Sequence, residues 1–348
     1  MRGTTRPAEH RPQGSRRQDR SLAAAHASRP VRGASMEKQV TSIRPEAPSV
    51  WRKSAWRERI ESLDPVADCH EIHRIMAGFE FPWDYQRSLE FALFKTYCVP
   101  SISELLDKTG EFEHRPQKRY DDTALLMAEM VEHGFDSPRG KDSLRVVNRM
   151  HGKYTISNDD MLYVLSTFVY EPLDWIDAYG WRRLTPHERA AAFHFYTGVG
   201  KRMGIKDIPE DFQEFHRFKL NYEREHFRYS ESNHRIGVYT TDLFCSWFPA
   251  PLRPLVSIGV RGLLDDRMLT AFGFEPAPEA VRRAATRGLR LRSAAVRLLP
   301  PRRVSNAARD PHNRTYPGYP GSYRPSDLGS DSPPPSWGAP TPSAARIS

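Results

Sequence analysis

Three short runs carry the residue types that could do chemistry: Arg119-Tyr-Asp-Asp-Thr123, Asn148-Arg-Met-His151 and Ser157-Asn-Asp-Asp160. If residues 138 to 154 form a helix, Leu144, Val147, His151 and Tyr154 fall on one stripe at the three-and-four spacing of a core-facing surface. A ring nitrogen placed there needs a partner: a backbone carbonyl, a carboxylate or a metal. Left unpaired, it costs about 1 to 3 kcal/mol. Arg119 and Thr123 lie four apart, so one helix face presents both a cation and a hydroxyl. For Thr123 the sequence leaves two readings open, a hydroxyl at a reaction site or one bonded to the carbonyl of Arg119. His70 with His73, and Glu129 with His133, have spacings that can share a face, but a carboxylate-bridged di-iron centre is not expected from them. His226 and His234 sit in a charged stretch and read as solvated.

The elements that must hold these residues read as helices. Ser137 before Pro138, Ser157 with Asp160, and Thr185 before Pro186 with Glu188 are three helix starts. Pro172 is expected to end the helix that Ser157 opens, and Gly204 the one that Thr185 opens. Alternating β-branched runs and hairpin turns are missing, so the chain is predicted to be all-α, a single large helical domain.

The ordered motifs resemble a known family. Phe81-Pro-Trp-Asp84, Pro100-Ser-Ile-Ser103, Thr109-Gly-Glu-Phe112, Lys118-Arg-Tyr-Asp-Asp-Thr123, Arg149-Met-His151 and Ile156-Ser-Asn-Asp-Asp160 are joined by Leu63-Asp-Pro65 upstream. Tyr179-Gly-Trp-Arg182, Met203-Gly-Ile-Lys-Asp-Ile-Pro209, Leu264-Asp-Asp266 and Tyr316-Pro-Gly-Tyr319 continue the series. Together these resemble the MpaB and latex-clearing-protein (rubber oxygenase) family of all-α haem oxygenases, from Asp64 to about Pro325. The resemblance implies a non-covalent haem b enclosed by the helical domain, with His151 as axial iron ligand and Arg149 beside it. It implies Arg119 and Thr123 as distal catalytic residues and Glu104 as an acid/base carboxylate. Held in an apolar haem pocket, Glu104 would have its neutral form favoured. Its implied partners are O2 and a hydrophobic or lipid substrate whose carbon–carbon double bond is cleaved. One departure stands out: Asp122 occupies the position at which the latex-clearing branch has a lysine. That favours a haem enzyme of peroxidase-like or desaturating type as one alternative. A non-catalytic helical protein at the membrane surface is another.

Charge divides the chain. Residues 1–44 carry ten Lys/Arg against three acids, and residues 275–348 twelve Arg against five, so the stretch between is net −5 although the whole is +9. The basic pI of 9.5 therefore belongs to the tails, and no nucleic-acid partner is expected. The expected organisation is a disordered basic extension (1–44), the all-α haem oxygenase-like domain (45–275), an Arg-rich amphipathic helix (276–304) and a Pro/Gly/Ser-rich tail (305–348). Met36 is a second candidate start. Between Val281 and Leu299 there are six Arg and no acid, a composition suited to peripheral contact with an anionic membrane. No segment has the apolar core of a secretory signal or the length of a membrane span. Cys69, Cys98 and Cys245 form no CxxC or zinc spacing, so reduced thiols and a cytoplasmic setting are expected.

Overall fold

In the computed structural model of the chain, residues 54–306 and 323–330 are described, all within one compact unit, Ile43–Ser348. The basic extension, the Met36 start and the Tyr316–Tyr319 motif lie outside the described residues.

Local capping chemistry fixes where the helices begin. Ser137 Oγ accepts from Gly140 N at 3.0 Å, opening α7 (Pro138–His151), and Ser157 Oγ accepts from Asp160 N at 3.0 Å, opening α8 (Asn158–Tyr179). Thr185 and Glu188 form a reciprocal capping box at the start of α9 (Pro186–Arg202). Gly204 (φ +76°) closes α9: its N–H bonds Lys201 O, and that of buried Ile205 bonds Gly200 O. This is the left-handed cap for which glycine is suited.

Two helix ends differ from expectation. α7 stops at His151 rather than reaching Tyr154, which is 41% exposed beyond a turn at Gly152 and Lys153. α8 runs through Pro172 to Tyr179. An interior proline costs about 3 kcal/mol. Beyond it, however, Leu173, Trp175 and Ile176 are buried, and each such side chain recovers about 1.5 to 3 kcal/mol.

The architecture is all-α, with fourteen α-helices and no strand among the described residues. Central α8 packs on α3 (Pro82–Thr96), α9 and α10 (Phe212–His226), while α2 (Cys69–Ile75) lies on α9. Ile72, Tyr85, Val169, Ile176 and Phe195 lie in the resulting core. A second cluster joins the end of α3 to α11 (Glu231–Ser246) and α13 (Asp266–Phe272) through Phe94, Ile236 and Phe272. α6 (Pro116–His133) pairs with α7 through a tight corner at which a Cβ on Gly140 would collide with Gly134 O. That close approach brings the helix bearing Arg119 and Thr123 against the helix bearing His151.

Candidate active site

On α6, residues four apart divide between two faces. Arg119 Nη1 donates to Thr123 Oγ1, and that hydroxyl donates to Arg119 O at 3.1 Å. Thr123 therefore bonds back to its own helix, as one of its two readings expects, and it also lines a cavity. The cavity, about 30 Å3, is walled by Leu93, Tyr97, Phe112, Arg119, Thr123 and Leu243 among others. Its size admits a water or a diatomic molecule. The Arg119 guanidinium lies 5.7 Å from the Phe112 ring centroid, and burial pushes the Tyr97 phenol up to about 12.

The other face of α6 carries Lys118 and Asp122, both buried. Lys118 Nζ donates to Asp122 Oδ2 at 2.6 Å and to Gly329 O at 2.9 Å. Asp122 is thus held by Lys118 and is not among the residues lining the cavity. The chain has a buried ammonium one turn before the position where the latex-clearing branch has its lysine, and it is neutralised in place.

His151, at the last turn of α7, has a buried Nδ1 with no hydrogen-bond partner among the described residues. Burial, and then the charge of Arg119, hold its pKa down to about 4. A neutral imidazole with an orphaned nitrogen, electrostatically coupled to the cavity arginine, has the donor chemistry of an axial iron ligand. The fit is one of donor and charge. The inner cavity is too small to delimit a seat for the macrocycle itself.

Two expected site residues lie elsewhere. Glu104 is exposed on α4 (Pro100–Thr109) and outside the cavity lining, so the apolar environment that would make it a proton shuttle is absent. Arg149 is exposed on α7; the three-and-four stripe that buries Leu144 leaves position 149 on the outer side.

Other histidines account for themselves. His226 and His234 are half-buried rather than solvated, with Nδ1 against Tyr222 O at 3.0 Å and Phe272 O at 2.8 Å. The Glu-x-x-His spacing that carboxylate-bridged di-iron centres use is present in the sequence at Glu111/His114, Glu223/His226 and Glu231/His234. No three metal-ligating side chains converge among the described residues, however. His73 is fully buried with both ring nitrogens unpartnered, but its ring is stacked 4.3 Å from Phe195 and edged by Tyr85 and Tyr196. These aromatic rings occupy the space next to it.

Sequence reasoning missed the α11 wall, Thr240, Leu243 and Phe244. The available signal was their three-and-four spacing.

Comparison with known proteins places these observations in a family. The catalytic domain described as "ER-bound oxygenase mpaB/B'/Rubber oxygenase" matches residues 93–298, which include Arg119, Thr123 and His151. The ER-bound oxygenase mpaB' of Penicillium brevicompactum is 31% identical over 264 residues, covering 69% of this chain and 62% of that protein. The ER-bound oxygenase mpaB of Penicillium roqueforti is 38% identical over 154 residues, 42% of this chain and 51% of that protein. That of P. brevicompactum is 40% identical over 141 residues, 38% of this chain and 36% of that protein. The chain spans less than two thirds of the length of each of these relatives.

Proposed function

The chain belongs to the mpaB/B' and rubber oxygenase catalytic-domain family, and from that premise we propose that it is a haem b-dependent oxygenase. Its reaction would add O2 across a carbon–carbon double bond of a lipid or isoprenoid-like chain, giving two carbonyl products. The observation that carries the reading is a half-buried, neutral His151 with an unpartnered Nδ1, electrostatically coupled to Arg119 in the wall of a mainly apolar cavity that Glu90 also lines.

The haem, when bound, supplies the iron chemistry of O2. The protein's own groups do the rest. His151 offers a nitrogen that need not first lose a proton. Arg119, which donates to Thr123, would place a cation where negative charge develops on oxygen, and in a mainly apolar lining, whose one carboxylate Glu90 is held by Arg87 and Tyr120, that charge acts with less screening than in water. Tyr97, Phe112 and Leu243 give the same space an apolar wall.

Protein expressed with haem supply should show a Soret band and consume O2 with an unsaturated isoprenoid. Arg119→Ala should keep the band and lower turnover about a hundredfold, the scale of losing one preorganised charge-stabilising donor. No Soret band sinks the haem reading and favours a non-catalytic binding protein; unchanged turnover in the variant removes Arg119 from the chemistry.

Peripheral membrane contact is part of the same reading, and α14 (Glu279–Leu298) supports it. No helix among the described residues is long and apolar enough to cross a membrane. On the outer side of α14, Leu291 is 72% and Leu298 88% exposed, next to exposed Arg287, Arg290 and Arg297. The six arginines are not equivalent. Arg282 bonds Asp266 at 2.8 Å, Arg292 bonds Asp84 at 2.7 Å, and Arg283 lies 3.7 Å from Glu279. The other three make no ion pair among the described residues, and at about 1 kcal/mol each they supply half the attraction that six would. The full chain should pellet with anionic vesicles at low salt, less so at high salt. Changing Arg287, Arg290 and Arg297 to Glu should abolish pelleting; equal pelleting of both proteins sinks the α14 contact.

A further inference from the structure

A second cavity, about 470 Å3, abuts the inner one. Phe112, Pro116 and Leu243 line both, so the short α5 (Glu111–His114), the start of α6 and the end of α11 border both spaces. The inner space is large enough only for a water or a diatomic molecule; the outer one lies within the usual size range of small-molecule sites, about 300 to 1,000 Å3.

The charges around the outer cavity are unequal. Of its cations, Arg115 is paired with Glu111, and Lys118 with Asp122 and Gly329 O. Glu113 lies 3.9 Å from the His114 ring nitrogen, while Asp242 makes no ion pair among the described residues. Burial pushes the Asp242 carboxyl up, and burial, Glu113 and Asp107 push the Tyr239 phenol up. The uncompensated charge facing this space is negative. An anionic ligand end is repelled there, whereas a hydroxyl meets acceptors at Glu113 and Asp242 and hydroxyl partners at Tyr239 and Ser246.

We propose that the outer cavity is a second substrate subsite that holds the uncharged, hydroxyl-type end of an apolar chain. The rest of the chain runs past Phe112 and Leu243 towards Arg119 and Thr123. The proposal rests on the oxygenase reading for the chain's destination and on this cavity's own lining for its end group. It assigns Asp242 the selection against carboxylates, and Leu243 and Phe112 the passage between the two spaces.

Calorimetric titration of the full-length protein with decanol and with decanoate at neutral pH tests it. Decanol should bind at least about fivefold more tightly than decanoate, the discrimination given by one unscreened like charge at contact distance in water. Asp242→Asn, a conservative change at a side chain only partly screened from solvent, should bring the two together. Leu243→Phe should weaken both by narrowing the passage. Equal affinities in the unaltered protein, no binding of decanol, or a difference that survives Asp242→Asn overturns the subsite. Leu243→Phe binding both probes normally overturns the continuity with the inner cavity. These readouts need no turnover. Haem-free protein that still discriminates keeps the subsite while the oxygenase reading fails; haem-loaded, active protein that does not discriminate sinks the subsite alone.

Discussion

Replacing His151 by alanine should remove the Soret band of haem-loaded protein, or weaken haem retention enough that the band is lost on gel filtration. The imidazole is in the protonation state that coordination needs. Burial and Arg119 hold its pKa down to about 4, so at neutral pH no proton competes with iron for the ring. The sign follows from the direction of that shift. For an ordinary histidine, proton competition for the ring sets in near its usual pKa of about 6.5, whereas here it sets in only as pH falls towards 4. Haem should therefore stay bound from pH 7 to 5. Release with a midpoint near 6.5 would point to a different, solvent-exposed donor. Three controls sharpen the assignment. His226→Ala and His234→Ala remove rings already engaged with backbone carbonyls and should leave the band intact. His73→Phe replaces a ring already stacked among aromatics and should do the same. If His73→Phe abolishes the band while His151→Ala does not, the axial ligand lies in the core formed by α2 and α9, and the site built around Arg119 is misassigned.

What the sequence disclosed and what it hid follow from the range of the interactions involved. Ser137, Ser157 and Thr185 were legible because a cap is decided within three residues. Gly204 was legible because a left-handed closing residue is decided within one turn. Pro172 misled for the opposite reason: its local penalty is outweighed by Leu173, Trp175 and Ile176, whose burial depends on helices remote in sequence. On the expected stripe Leu144 is buried and Val147 and His151 are half-buried, and Gly152 breaks it before Tyr154. Glu104 and Arg149 sit close in sequence to matched motifs, and proximity in sequence says nothing about which side of a helix faces a cavity. The largest unread feature is the anchoring of Lys118. Its acceptor Gly329 lies beside Met150 and Val146, and Leu328 packs with Leu126 and Val146. A segment near the C-terminus thus pins α6 to α7 on the face opposite Arg119. No spacing rule could have linked positions so far apart, and this pin explains why Asp122 can be buried without facing the cavity.

The largest effect on stability should come from Lys219, which no motif singles out. Its side chain is 2% exposed and its ammonium sits 2.6 Å from Glu171 and 2.8 Å from Glu223. Lys95 completes a neutral quartet, 2.9 Å from Glu171 and 3.7 Å from Glu223. Burial pushes the Glu171 carboxyl up, but Lys219 and Lys95 outweigh it and hold the pKa below its ordinary value. Burial likewise pushes Lys95 down, and Glu171 with Glu223 more than offset it. Lys219→Met leaves two buried carboxylates facing one lysine. That should cost about 3 to 5 kcal/mol, a Tm lower by roughly 10 °C in a domain of this size. The double change Lys219→Met with Glu223→Leu removes one charge of each sign and should recover most of the loss, because a buried pair replaced by apolar groups is often nearly neutral. The pH dependence has a definite sign. Glu171 is depressed in the folded state, so its contribution is complete above the ordinary carboxylate range and is lost as pH falls through its folded value. In acid, Lys219→Met should therefore approach the parent protein in stability. A single variant as stable as the parent at pH 7, or a double variant no better than the single, would show that the four charges are screened by water and do not hold α3, α8 and α10 together.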